Sequence, residues 1–278
     1  MSDNETSIYY SILPLIITIE IVVILFTYFA ITWKRRSKSK ETLSRLHKSF
    51  IGIFLIEFWY WITRPLLNFF KLIKITPNGI TAISIFLSFV TGSLYAAGFI
   101  APVFIAIGGW LLIISGTLDM LDGALARETN QTTKAGAFFD SCGDRYSDAF
   151  VFIGIALYFL SKNFSADTAT FTITTFDFIG IVTILTVLLG TASMSYVKAR
   201  GEAVGATTKR GLMQRTERVL MLSICSVLDP FLRIILAEYK LHTDIALIAV
   251  LIIMSVLINF SAIVRMIDLF NIIKRSDK

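Results

Sequence analysis

Cysteine, histidine and proline are nearly missing from this sequence, with two, two and five residues in a chain of 278. Cys142 and Cys225 each stand alone inside an apolar stretch, without the spacing of a zinc site or a disulfide framework, and read as small helix-packing residues. His47 and His242 lie far apart at segment edges, which argues against a histidine-based metal or acid/base centre. Charge is scarce as well. Asp, Glu, Lys and Arg make up 17% of the chain against 55% hydrophobic residues, and a mean hydropathy of +0.72 is too high for a soluble domain. The net charge of +6 would raise nucleic-acid binding in a soluble protein. Here the basic residues gather in short connections between apolar runs, where the positive-inside rule places them, so no nucleic-acid partner is needed.

Long apolar runs dominate what is present. Each covers roughly 20 residues, the length a helix needs to cross about 30 Å of hydrocarbon. The first, Tyr9 to Trp33, is too long for a signal peptide and has no basic residue before it, so an uncleaved spanning helix is expected. Lys34, Arg35, Arg36, Lys38 and Lys40 follow and place that end in the cytoplasm. The basic linker running on from Lys34 is a solvated connection or a docking site for anionic lipid. Residues 51–75 mix Phe, Trp and Tyr with Arg64, Lys71 and Lys74, which suits a helix lying on the inner surface; a further span is the rival reading. Six more runs follow, Asn78 to Ala97, Pro102 to Leu121, Phe138 to Leu160, Phe178 to Val197, Val219 to Ala237 and Ile245 to Met266. Their basic connections, including Arg127 to Lys134, Lys198 to Arg218 and Lys274-Arg275, alternate consistently with the cytoplasmic side. The expected architecture is all-α and membrane-embedded. It comprises an extra helix and linker (residues 1–50), an interfacial helix (51–75) and a six-helix domain (76–278).

The acidic residues are few but not scattered. Asp119 and Asp122 are three apart, Asp140 and Asp144 four apart, so each pair shares a helical face near the cytoplasmic ends of two adjacent helices. The short loop between them makes these helices antiparallel neighbours and brings both pairs together. An ionised Asp in a membrane helix costs about 2.5–3.5 kcal/mol at the bilayer centre, and adjacent carboxylates repel. Something positive must sit between them. Oxygen ligands without Cys or His select Mg²⁺, Mn²⁺ or Ca²⁺, and four carboxylates suffice for two ions that would clamp a diphosphate. Gly123 and Gly136 keep side chains away from helix contacts or a nucleotide, and Arg127 supplies a diphosphate-binding fork. Asn78 is a plausible helix cap.

The run Asp119-x2-Asp122-Gly123-x2-Ala126-Arg127-x8-Gly136-x3-Asp140-x3-Asp144 resembles in full the signature of the CDP-alcohol phosphotransferases, with all eight fixed positions in register. The resemblance covers about Thr76 to Arg265 and leaves out the first helix and its linker. It implies two divalent cations, Mg²⁺ or Mn²⁺, with Asp119 and Asp140 touching both, Asp122 one and Asp144 the other. It also implies that Asp144 is the general base for the acceptor hydroxyl, and that Asn78, Gly79, Ile80, Thr81, Gly123, Arg127 and Thr133 line the CDP pocket. A homodimer is implied as well.

A second stretch, Ser195 to Glu202 followed by Gly211 to Arg218, resembles the subset making phosphatidylinositol phosphate or its archaeal-lipid counterpart. Lys198 and Arg218 match the residues that hold the acceptor's phosphate, with Arg265 a further match and Arg200 and Arg215 close by. A phosphomonoester acceptor needs such cations, although they also suffice to set topology. Arg265 interrupts an apolar run, which marks it as functional. The expected activity is transfer of a phosphatidyl group from a CDP-diacylglycerol-type lipid to a phosphorylated alcohol, inositol phosphate first, with release of CMP. Glycerol 3-phosphate satisfies the same charges and keeps phosphatidylglycerol phosphate synthesis open. Transfer between soluble CDP-linked polyols and a divalent-cation transporter are the remaining alternatives; a transporter's acids would lie nearer the membrane midplane.

Overall fold

The computed structural model describes residues 20, 23–32, 50–165, 170–208 and 213–276. The expected amino-terminal span therefore lies only partly within the described residues, and its basic linker and Gly211 lie outside them. The helices are α1 (Val23–Thr32), α2 (Phe50–Leu72), α3 (Pro77–Ala97), α4 (Val103–Glu128), α5 (Lys134–Ser161), α6 (Thr175–Ala203), α7 (Arg215–Glu238) and α8 (Ile245–Ser276). One departure from all-α is a minimal antiparallel hairpin between α5 and α6, pairing Phe164 with Phe171 and Ser165 with Thr170.

Local chemistry sets the helix starts. Thr76, not Asn78, caps α3: its hydroxyl accepts from Gly79 N at 3.2 Å, and Pro77 occupies the first helical position, where its missing N–H costs nothing. Thr133 caps α5 in the same way, accepting from Gly136 N at 2.9 Å. At the start of α7, Gln214 N donates to Glu217 Oε2 at 2.5 Å, one half of a capping box. Most helices outrun the apolar stretches that announce them. α4 continues seven residues past Leu121 to Glu128, and α5 begins at Lys134, because these polar turns leave the hydrocarbon while their backbone hydrogen bonds continue.

Helix α3 lies between α4 and α5, α7 packs on α4 and α8, and α6 pairs with α8. The α3–α5 contact is backbone to backbone. A Cβ on Gly92 would sit 2.2 Å from Phe150 O, and one on Gly154 would sit 2.1 Å from Gly92 O. Only glycine permits that approach. The main core joins Tyr95, Leu112, Phe159, Ile184, Leu251 and Met254, and a smaller one joins Leu67, Ile80, Leu121 and Leu125. Tyr95 buries its hydroxyl by donating to Ser226 Oγ at 2.9 Å. Outward faces carry Phe86, Ile114, Leu185, Leu189 and Val256, as lipid contact requires.

Five helices, α3, α4, α6, α7 and α8, are long and apolar enough to cross a membrane. This is a multi-pass membrane protein. α5 is 28 residues long but carries Asp144, Arg145 and Asp148 within its length, which lowers its apolarity. α1 packs on α2 through Phe29, which is buried against Phe58 and Trp61 at ring separations of 5.4 and 5.5 Å. An ion pair between Lys71 and Glu128 joins the ends of α2 and α4.

Candidate active site

The end of the bundle formed by the last turns of α4 and the first turns of α3, α5 and α7 gathers the acidic residues. Asp119, Asp140 and Asp144 each place a carboxylate oxygen within 4.8 Å of the other two. Asp122, the fourth, is buried beside them and tied down: Thr81 donates to its Oδ2 and Gly123 N to its Oδ1, both at 2.5 Å. The carboxylates converge as the spacing predicts, but α4 and α5 are not the expected packed neighbours: α3 lies between them, and the two pairs meet where the helix ends come together.

The arginines expected at an acceptor site divide. Arg215 Nη1 lies 2.5 Å from both Asp119 Oδ2 and Asp144 Oδ1, inside the carboxylate cluster rather than beside it. Arg218, three residues on along the same face of α7, is buried and pairs with Asp148 Oδ2 at 2.6 Å. Asp148 also lies 3.5 Å from Arg215 Nε. Lys198 is exposed, 3.9 Å from Glu202 and within electrostatic reach of Asp140. Arg200 is exposed, and Arg265 is half-buried within the field of Glu202.

Asp148 is the residue that spacing missed. It continues the series Asp140, Asp144, Asp148 at intervals of four, one stripe along α5, and that periodicity was the available signal.

On the other side of the cluster, the first turns of α3 and α5 abut. Asn78 Oδ1 is 3.1 Å from where a Gly136 Cβ would lie. Two capped helix starts with exposed N–H groups side by side favour a negatively charged group. Gly123 faces only the tip of the Arg127 guanidinium, 3.2 Å from its Cβ position, so helix packing does not demand glycine there. Space for a ligand explains it better. Asn78, Arg127 and Thr133 are exposed around this edge. Ile80 is fully buried in the smaller core, so its side chain serves packing.

The donor set is all carboxylate oxygen, which suits a hard divalent cation. Asp144 Oδ1 is buried and has no hydrogen bond of good geometry, only the adjacent guanidinium charge. The residues fit a metal.

Comparison with known proteins decides the family. Residues 74–270 match the model of the CDP-alcohol phosphatidyltransferases. The chain belongs to that family. It is therefore a transferase. An archaetidylinositol phosphate synthase of Methanothermobacter thermautotrophicus is 33% identical over 167 residues, covering 60% of this chain and 71% of that one. A phosphatidylinositol phosphate synthase of Corynebacterium glutamicum is 31% identical over 164 residues, 58% of this chain and 66% of the relative. The Mycobacterium tuberculosis phosphatidylinositol phosphate synthase, solved with manganese and citrate, shares the fold at a TM-score of 0.60 and 24% identity, over 75% of this chain and 88% of that one. The same enzyme has also been solved with CDP-DAG bound.

Proposed function

We propose that this CDP-alcohol phosphatidyltransferase moves the phosphatidyl group of a CDP-diacylglycerol-type lipid onto the hydroxyl of inositol phosphate and releases CMP, as a step of phospholipid biosynthesis. The observation that carries the acceptor assignment is the Arg215–Arg218 face of α7, set directly against the carboxylate cluster. A neutral alcohol has no use for two guanidiniums there, whereas a phosphomonoester dianion matches their fork geometry. The names of the relatives point the same way.

Asp119, Asp122, Asp140 and Asp144 would hold Mg²⁺ or Mn²⁺, which offset the charge of a diphosphate and of its leaving oxygen. The abutting starts of α3 and α5, with Asn78, Gly79, Thr81 and Thr133, orient the CDP head, while Gly123 leaves room for it and Arg127 closes over it. Asp144 takes the acceptor's hydroxyl proton. The freed oxygen bonds to the lipid-side phosphorus, the bond from that phosphorus to the bridging oxygen breaks, and the oxygen leaves with CMP. Arg218 and Arg215 hold the acceptor phosphate, with Lys198, Arg200 and Arg265 adding positive field along its approach.

Lys71, Lys74, Lys134, Lys198 and Lys274 share the end of the bundle that holds the site, which supports a cytoplasm-facing site in the cell membrane. On this reading α2 lies along the inner surface, residues 76–278 form the catalytic unit, and two copies associate as a homodimer, which cross-linking in membranes tests.

Arg218→Ala tests the acceptor assignment. The KM for inositol phosphate rises by about 10-fold or more, the scale of a lost charge-assisted pair, while the KM for the CDP-lipid changes little. Equal losses for both substrates contradict the assignment. Preference for glycerol 3-phosphate over inositol phosphate in the unaltered protein replaces it with phosphatidylglycerol phosphate synthesis.

A further inference from the structure

We propose that Asp148 is a positioning residue that sets where Arg215 rests, and through it the affinity of the carboxylate cluster for divalent metal. The proposal rests on the metal-site reading above but not on the identity of the acceptor. Arg215 holds a permanent charge between Asp119 Oδ2 and Asp144 Oδ1, 2.5 Å from each. A cation on those oxygens competes with the guanidinium for the same lone pairs. Arg215 must then have another anion to face, because an arginine left unpaired in this interior carries the desolvation cost of its charge.

Asp148 is that anion. Its Oδ1 already lies 3.5 Å from Arg215 Nε, one helical turn deeper along α5 than Asp144. Its Oδ2 is bound to Arg218 Nη2 at 2.6 Å, so the carboxylate is anchored by a buried partner. The surroundings leave room for movement. Ser88, Ser115, Ser147, Asp148, Arg215 and Arg218 border a small cavity of about 20 Å³, room for about one water. Ser147 Oγ and Arg218 Nε are buried there without hydrogen-bond partners. Arg215 thus borders free volume that Asp148 also lines, and its position follows the balance between two sets of carboxylates. Asp148 draws it away from the metal ligands and toward Arg218.

The test measures Mn²⁺ binding to the purified full chain in detergent, by the electron paramagnetic resonance signal of free Mn²⁺, without either substrate. Asp148→Asn is expected to raise the Kd by about 10-fold, since Arg215 then has only the metal ligands to pair with. Arg215→Met is expected to lower it by about fivefold or more, and in that background Asp148→Asn is expected to change it by less than about twofold. Asp148→Glu, which keeps the charge, is expected to stay within about threefold of the unaltered protein. It also serves as the folded comparison if the Asn variant loses binding capacity. An undiminished effect of Asp148→Asn in the Arg215→Met background overturns the proposal, because Asp148 then acts by its own charge. Weaker Mn²⁺ binding by Arg215→Met overturns it as well. Failure of the acceptor assignment would leave all these shifts in place, so the two readings fail separately.

Discussion

Asp144 has neighbours of both charges. It shares the Asp119 and Asp140 cluster, one oxygen lies against Arg215, and Arg145 Nη1 is 3.5 Å from the other. As the proposed base it must both ligate metal and accept a proton. Asp144→Asn keeps the shape and removes the negative charge. Transfer is expected to fall by about 10²–10⁴-fold, the usual contribution of a general base, while binding of the CDP-lipid measured by calorimetry is largely kept. Turnover within a few-fold of the unaltered protein removes Asp144 from that role. The four signature aspartates were legible because chemistry forces their spacing: paired carboxylates on two successive helices leave few alternatives. Asp148 was legible only as the continuation of the Asp140 and Asp144 stripe, and the position of Arg215 was not legible. A further Asp outside the signature has many ordinary explanations, and which carboxylate an arginine meets depends on how α7 packs on the bundle.

Helix α3 brings Thr81 to Asp122 of α4 and sets Asn78 against Gly136 of α5, so the seating of α3 against α5 governs the site. That seating is fixed at Gly92 and Gly154. A Gly92→Ala methyl would lie 2.2 Å from Phe150 O, a backbone atom that cannot turn aside. Forcing atoms into a packed contact costs about 1–3 kcal/mol, and here the whole helix must shift. Gly92→Ala is therefore expected to lower the melting temperature in detergent and to reduce transfer, although it lies far from the aspartates. An unchanged melting temperature shows that the helices do not touch there. Helix existence was readable from apolar length, helix ends much less so. The apolar run stops at Leu121 while the helix carries Asp122, Gly123 and Arg127 onward to Glu128, because hydrophobicity marks the membrane and not the hydrogen-bonded backbone. The hairpin of Phe164–Ser165 and Thr170–Phe171 is too short for any alternation to announce it.

Across the whole molecule, charge is concentrated at both ends of an apolar bundle. The end opposite the aspartate site holds a second network that the sequence did not announce, because its members come from three helices and a turn. Arg233 lies 2.5 Å from both Asp229 Oδ2 and Asp244 Oδ1, and Tyr158 donates to Asp244 Oδ1 at 2.7 Å. Lys162 bridges Asp244 and Asp177, 2.5 Å from the latter. Asp177, His242 and Asp244 lie close enough to hold a metal, against the expectation from the isolated histidines, but the Lys162 ammonium already bridges the two carboxylates and Arg233 pairs with Asp244 as well. These contacts join α5, α6, α7 and the turn before α8. Burial alone would push the Asp244 carboxyl up, but Arg233 and Lys162 outweigh it and hold the group below the usual carboxylate range. A carboxyl with a depressed folded pKa contributes stability that is full above its unfolded value, about 3.9, and is lost as pH falls through the lower folded value. Asp244→Asn leaves Arg233 and Lys162 short of an anion and is expected to cost about 3–5 kcal/mol at neutral pH, with the difference shrinking in acid. Thermal unfolding at pH 7 and pH 3 checks it. An equal deficit at both values would show that packing rather than charge is responsible.

The most direct test of the account is CMP release by the purified protein from CDP-diacylglycerol and Mn²⁺, with inositol phosphate, glycerol 3-phosphate, inositol or serine supplied in turn. Release driven by inositol phosphate, and lost when the metal is chelated, is the predicted result. Release driven instead by an uncharged alcohol would contradict the roles given to Arg215 and Arg218, and no release with any acceptor from folded protein would contradict the assigned donor.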